Sequence, residues 1–218
     1  MQKRTVGILG LTGDPVHEGH VQVAVAALTT LRLDEVWLMP SPESTAKVGR
    51  KKAPIEHRMH LTNLAMLPTG RLGTSLKVSD LEVGFYTLTG KNATADVLEH
   101  FSDMYQSLQP VWLMGADNFC EIHTWGPRWR EIMERYPVGI LSRSGYTDRA
   151  LTSVAATQFA SGRRDAKDFR SEPGTWVVVD TNHDASSTDI RRDLLGGRKP
   201  QYLTDEAYAY IRAHGLYQ

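Results

Sequence analysis

Short apolar runs and amphipathic stretches alternate from one end of this 218-residue chain to the other, and that alternation limits its fold more than any other feature. Val6-Gly-Ile-Leu9 reads as a buried strand. His17 to Leu33 carries Val21, Val25, Leu28 and Leu31 at helical spacing and predicts a helix. Glu35-Val-Trp-Leu-Met39 is a second strand, stopped by Pro40-Ser-Pro42, and Pro54 to Leu67 a second helix opened by proline. Leu76 to Ser79 alternates like a strand, and Thr94 reads as the N-cap of a helix from Ala95 to Leu108. Val111–Met114 is then a strand, Trp129–Arg135 a helix, and Pro137–Leu141 and Thr175–Val179 strands. Helices over Ser187–Leu195 and Asp205–His214 close the series. Several of the strands are continuous apolar runs, as expected where both faces of a sheet are covered. The pattern predicts an α/β fold, a doubly wound Rossmann-like parallel sheet with helices on both faces. No repeat is visible, and a single domain over residues 1–218 is expected. Ser41–Ala53 and Ser161–Gly174 are polar, basic and glycine-containing, and read as loops.

Lysine plus arginine equals aspartate plus glutamate, 25 each, so no global field draws in nucleic acid or an anionic membrane. An anionic ligand must be held by a local arrangement. The single cysteine, Cys120, excludes an intrachain disulfide and reads as a small, half-buried apolar residue rather than a nucleophile. The N-terminal apolar run is too short for a signal peptide and no apolar stretch has membrane-spanning length, so a cytoplasmic protein is expected.

The first strand-to-helix connection, Gly10-Leu-Thr-Gly-Asp-Pro-Val-His-Glu-Gly-His20, holds three glycines and two histidines. It spells neither the dinucleotide fingerprint nor the P-loop. It does stand where a doubly wound sheet binds nucleotides. Glycines there admit a polyphosphate close to the backbone, and the helix start adds free N–H groups and a positive dipole end. His17 and His20, three apart, fall on the same side and can donate to phosphate oxygens. The same two histidines with Asp14 or Glu18 could instead hold a metal, but protein zinc sites favour i, i+4 histidines or cysteines. A second anion-directed segment lies late in the chain, at Ser186-Ser-Thr-Asp-Ile-Arg191. Ser187 and Thr188 can cap a helix and offer hydroxyls and N–H groups, and Arg191 follows one turn later with a bidentate fork.

"GDPVHEGH" after a strand resembles the T-x-F-D-P-x-H-x-G-H signature of the HxGH nucleotidyltransferases, and "SSTDIR" resembles their second phosphate motif, S-S-T-x-I-R. Gly115-Ala-Asp-Asn118, Ile122-His-Thr-Trp125, Arg128-Trp-Arg-Glu-Ile132, Glu56-His-Arg58 and Tyr210-Ile-Arg-Ala-His-Gly-Leu-Tyr217 extend the likeness over the whole chain. Together they resemble the bacterial nicotinate-mononucleotide adenylyltransferase family. The resemblance implies transfer of AMP from ATP to nicotinate mononucleotide, with Mg2+ carried by ATP and no metal site of the protein's own. It implies that Gly10, Thr12, His17, His20, Ser187, Thr188 and Arg191 surround the ATP phosphates, His17, His20 and Arg191 being catalytic. Gly115 and Asp117 would hold the adenosine part. Trp125 would stack on the pyridine ring, although Trp129, four residues on, could make it a core residue. Thr94 would lie near the pyridine carboxylate and Lys47 near a phosphate. Residues 186–218 would complete the phosphate site.

The chain departs from the family pattern at several positions. Gly13 stands where an aromatic is usual and Leu11 where glycine is frequent; the loop after Pro40 lacks a P-P-H-K run, and Ala93 replaces an aromatic before Thr94, for which Phe85-Tyr-Thr87 offers a competing alignment. The alternatives are another phosphate acceptor (nicotinamide mononucleotide or phosphopantetheine) or a nucleotide-binding regulator without turnover. The expected partners are small molecules, with no nucleic acid and no membrane; a homo-oligomer is compatible with the sequence.

Overall fold

The computed structural model describes residues 3–42, 52–142, 147–181 and 183–218. In chain order the elements begin with β1 (Arg4–Leu11), α1 (Glu18–Thr30), β2 (Glu35–Pro40), α2 (Ile55–Met66), β3 (Leu76–Val78), α3 (Leu81–Thr89) and α4 (Thr94–Met104). They continue with β4 (Leu108–Gly115), α5 (Ala116–Glu121), α6 (Trp129–Arg135), β5 (Val138–Ser142), α7 (Thr147–Leu151) and α8 (Val154–Gln158). The chain ends with β6 (Arg163–Arg164), β7 (Trp176–Asp180), α9 (Ser187–Leu195) and α10 (Asp205–Ala213).

Among the described residues seven strands form one parallel sheet in the order β3-β2-β1-β4-β5-β7-β6. β1 pairs with β2 through Ile8↔Trp37 and with β4 through Ile8↔Trp112. Connections run outward in both directions from β1, which makes the β1/β4 boundary the topological switch point where such sheets bind ligands. Side chains alternate across the sheet as the two-residue period requires. Val6, Ile8, Trp112 and Met114 pack on the α4, α5 and α6 side with Leu98, Phe101, Phe119 and Ile132. Leu9, Leu11, Val111 and Leu113 pack on the opposite side with Ala24, Ala27 and Leu28 of α1. A smaller cluster joins Leu61 of α2 to Ile190 and Leu194 of α9 and Ile211 of α10, and so fixes the C-terminal helices to the sheet's flank. Each such fully buried aliphatic side chain stabilises by about 1.5–3 kcal/mol.

Several boundaries differ from the sequence expectation. α1 starts at Glu18, with His17 in the extended N-cap conformation, and ends at Thr30; Arg32, at φ 55, turns the chain toward β2. α4 begins at Thr94 itself, with Ala93 as N-cap, and stops at Met104 rather than Leu108. Leu108 fits the helical period, but it pairs with Arg4 and opens β4, so sheet pairing overrides the local pattern. α3 is absent from the sequence expectation: Leu81, Phe85 and Leu88 share a face, and the first two pack on the core, but Val83 and Tyr86 lie opposite, Leu88 is exposed, and the one fully buried residue is Glu82. Ser161–Gly174 is not wholly loop, since it contains β6 and short 3-10 turns. Among the described residues no helix is long and apolar enough to cross a membrane.

Candidate active site

A cleft of about 240 Å³ opens at the C-terminal ends of β1 and β4, at the switch point. The β1–α1 loop forms its floor. Gly10 lies under the Trp112 indole, and a Cβ there would sit 2.5 Å from the ring's Cη2. Gly13 has φ +57, where a side chain is strained, and a Cβ would lie 2.6 Å from Val16 Cγ2 and 2.7 Å from Leu11 Cδ1. Leu11 itself is buried at 8% exposure. Two of the departures from the family pattern are thus neighbours in space: Leu11, together with Val16, fills the space that a side chain at 13 would need.

His17 is 1% exposed, and its backbone N–H points at His20 Nδ1, 3.4 Å away; the two rings lie 3.9 Å apart at 48°. With Nδ1 facing a donor, a neutral His20 carries its proton on Nε2. The imidazole is thus a hydrogen-bond donor on its far side without needing a positive charge. The Glu18 N–H, near the start of α1, donates to Tyr202 O at 3.1 Å, so the C-terminal segment already contacts this helix end.

The second motif docks on the first. Ser186, not Ser187, is the N-cap of α9, its hydroxyl accepting from the Thr188 N–H at 3.3 Å. Ser187 Oγ is left to donate to Pro15 O at 3.1 Å. Arg191 Nη1 donates to Asp14 O at 2.5 Å and Nη2 to Thr188 Oγ1 at 3.0 Å. Residues 172 and 177 positions apart in sequence are thereby joined at one wall. A guanidinium has five N–H donors, so these contacts are compatible with contact to an anion in the cleft. Opposite, β4 ends at Gly115, which caps α5, and the Asp117 carboxylate turns back over Gly115 where a Cβ would collide with Oδ1.

Gly10, Thr12, His17, His20, Gly115, Asp117, Ser187, Thr188 and Arg191 all line this cleft. Thr94 and Trp125 do not. Thr94 opens α4, and Trp125 is half-buried against the α4–α6 core, after a 3-10 turn. Trp129 is a core residue whose ring contact is Phe159, at 5.8 Å, and not Trp125. Lys47 lies outside the described residues. Cys120 is half-buried, and burial raises its thiol pKa. Among the described residues no group of three or more His, Cys, Asp or Glu side chains is arranged to hold a metal.

Beyond these, His183 and Tyr217 come near the cleft without any role expected of them, and Asp14, considered above only as a metal ligand, braces the loop. His183, before α9, and His17 both border Gly19, each with Nδ1 within 3.0 Å of the point where a Cβ would stand. Asp14, 2% exposed, accepts from the Ala53 N–H at 3.1 Å. Its charge adds to burial in raising the Tyr217 phenol pKa, which shows how near the C-terminal segment comes to the loop. A third histidine beside His17 is visible in the sequence, but no spacing rule connects position 183 to 17.

Residues 12–193 match the family described as cytidylyltransferase-like. A Cereibacter sphaeroides protein named "Probable nicotinate-nucleotide adenylyltransferase" is 37% identical over 188 residues, covering 85% of this chain and 96% of its own length. The chain belongs to the nicotinate-nucleotide adenylyltransferase family of cytidylyltransferase-like proteins. A Brucella abortus member of the same name is 34% identical over 197 residues, covering 88% of this chain and 96% of its own. The fold agrees with solved structures. Plasmodium falciparum nicotinic acid mononucleotide adenylyltransferase, complexed with NaAD, superposes with a TM-score of 0.71 at 16% identity, over 98% of this chain and 97% of that one. The same protein complexed with APC also gives 0.71, at 15% identity over the same shares of the two chains.

Proposed function

We propose that this member of the adenylyltransferase family transfers AMP from ATP to nicotinate mononucleotide, giving deamido-NAD and pyrophosphate. The observation that carries the reading is the junction of the two motifs: Ser187 and Arg191 on the Asp14–Pro15 backbone, beside the His17–His20 pair, at the switch point of the sheet. In the proposed reaction the mononucleotide phosphate attacks the α-phosphorus of ATP in line. The bond from that phosphorus to the bridging oxygen breaks, and pyrophosphate leaves. The acceptor is already an anion, so no protein nucleophile is required, and catalysis rests on positioning and charge stabilisation. His20 Nε2, His17 and Arg191 are assigned to the phosphate oxygens, with the N–H groups and hydroxyls at Gly10, Thr12, Ser187 and Thr188. Gly115 and Asp117 are assigned to adenosine, and Lys47, Thr94 and Trp125 to the mononucleotide. Magnesium carried by the ATP would neutralise part of the phosphate charge, beside His17, His20 and Arg191. We read residues 1–218 as one nucleotidyltransferase domain, its segment 186–218 completing the phosphate site, acting on small molecules in the cytoplasm.

Against a regulator without turnover stand the relatives named as adenylyltransferases and the presence of His17, His20 and Arg191 together in the cleft. The test is pyrophosphate release from ATP with nicotinate mononucleotide, nicotinamide mononucleotide and phosphopantetheine offered in turn. Fastest release with the first is expected. ATP binding without release would overturn the enzyme reading, and preference for another acceptor would reassign the substrate.

A further inference from the structure

Arg58 and Glu82 are buried ionisable side chains beside the cleft that adenylyl transfer leaves without a role, at 2% and 6% exposure. Arg58 projects from the first turn of α2 and binds backbone carbonyls from three separate segments. Nε donates to Ala53 O at 2.9 Å, ahead of α2. Nη1 donates to Thr12 O in the phosphate-facing loop at 2.8 Å and to Ser41 O at 2.7 Å, and Nη2 to Pro42 O at 3.0 Å. Ser41 is the first residue after β2; its N–H donates to Leu11 O at 2.9 Å, and its hydroxyl donates to Glu82 Oε1 at 2.5 Å. One buried cation thus bridges the loop under the triphosphate to the chain leaving β2, and one buried carboxyl holds the bridge from behind. Lysine could not substitute, because its three donors radiate from a single atom and cannot span segments that a planar guanidinium reaches together.

We propose that Arg58, buttressed by Glu82 through Ser41, is a positioning residue that locks the Thr12 peptide to the chain leaving β2, so that the donor and acceptor sides of the cleft are set together. The assignment of those two sides rests on the adenylyltransfer reading. The groups that face Glu82 are Arg58 from α2 and the Ser41 hydroxyl; α4, packed on α3, presents His100 to Phe85, with ring centroids 4.7 Å apart. Burial raises the Glu82 pKa to about 7, against the opposing pull of Ser41 and Arg58. Below that pH the carboxyl is protonated and its contact with Ser41 is a neutral one. Above it the carboxylate accepts a charge-assisted bond and attracts Arg58, so the coupling tightens as pH rises. Global stability moves the other way. The native state keeps a proton that the unfolded chain releases near 4.5, so this group's share of stability declines from there to about 7.

Hydrogen exchange of the full-length protein, on either side of pH 7 and corrected for intrinsic rates, tests the coupling in peptides containing Thr12 and Ser41. In the wild type, exchange at both is expected to slow roughly two- to tenfold on the alkaline side. Glu82→Gln should remove that pH response at both peptides together. Arg58→Lys should speed exchange at both and raise KM for ATP and mononucleotide together, by roughly tenfold, with kcat changed far less. A merely structural Arg58 would lower melting temperature and active fraction while leaving KM alone, and that result would overturn the proposal. So would a Glu82→Gln response confined to the Ser41 peptide, which decides the matter even if Arg58→Lys does not fold. A wild type that binds a non-hydrolysable ATP analogue but releases no pyrophosphate would sink the adenylyltransfer reading, and the exchange comparison would still decide the coupling.

Discussion

Around the β1–α1 loop the residues expected to hold phosphate are tied to that loop or to one another: Ser187 to Pro15, Arg191 to Asp14 and Thr188, His17 to His20. On the side expected to hold the mononucleotide, Thr94 opens one helix, Trp125 follows a 3-10 turn, and neither lines the cleft. The contrast follows from what each ligand requires. A triphosphate is gripped by backbone N–H groups and short side chains at helix starts, features that a few consecutive residues can encode. A pyridine ring needs single side chains brought from distant loops. The first kind of site is two short motifs, far apart in sequence, that meet in the fold; the second draws single residues from several loops.

Substitutions on the two sides should therefore separate. His20→Ala is expected to have the largest effect, lowering kcat on the order of a hundredfold or more with the melting temperature preserved, because one charge-directed donor is lost at the reacting phosphates. Near-normal turnover would remove His20 from the reacting centre. Trp125→Ala should raise KM for the mononucleotide by about tenfold while leaving the affinity for an ATP analogue unchanged, the cost of losing one stacking platform. An equal loss for both ligands would show that Trp125 acts through the core. The smallest effect concerns the loop itself. Gly13→Ala should destabilise by about 1–2 kcal/mol, measured in urea, through positive φ and collision with Val16 and Leu11. Adding Leu11→Ala should cost less in that background than in the wild type. Simple additivity in the double-mutant cycle would show that the two positions are independent.

Most of the sheet was legible because several of its strands are uninterrupted apolar runs, as suits a parallel sheet covered on both faces; β6, two exposed arginines, carries no such signal. The cleft was legible for a different reason: the two histidines and the serine–arginine motif each sit where a helix starts. What escaped notice is long-range. Leu108 continues the helical period of α4, yet it pairs with Arg4 in the sheet. α3 is hidden because its apolar residues lie on two faces and its most deeply buried side chain is the charged Glu82, while Leu81 and Phe85 are only partly covered by the core. Arg58 stood in a quoted motif, yet nothing in Glu56-His-Arg58 announces that its side chain reaches carbonyls at Thr12, Ser41 and Pro42. The opposite case is the Leu11–Gly13 pair, visible as an oddity in the sequence and explained only when a φ of +57 and two contact distances are known.

The central claim is that the two motifs, brought together from opposite ends of the chain, form one site that moves an adenylyl group. Incubating the wild-type protein with nicotinate mononucleotide and MgATP labelled at the α-phosphate tests it most directly. The account predicts that the label passes into a dinucleotide, in step with pyrophosphate release. Label recovered as free AMP, or left in ATP while the protein binds it, would contradict the claim.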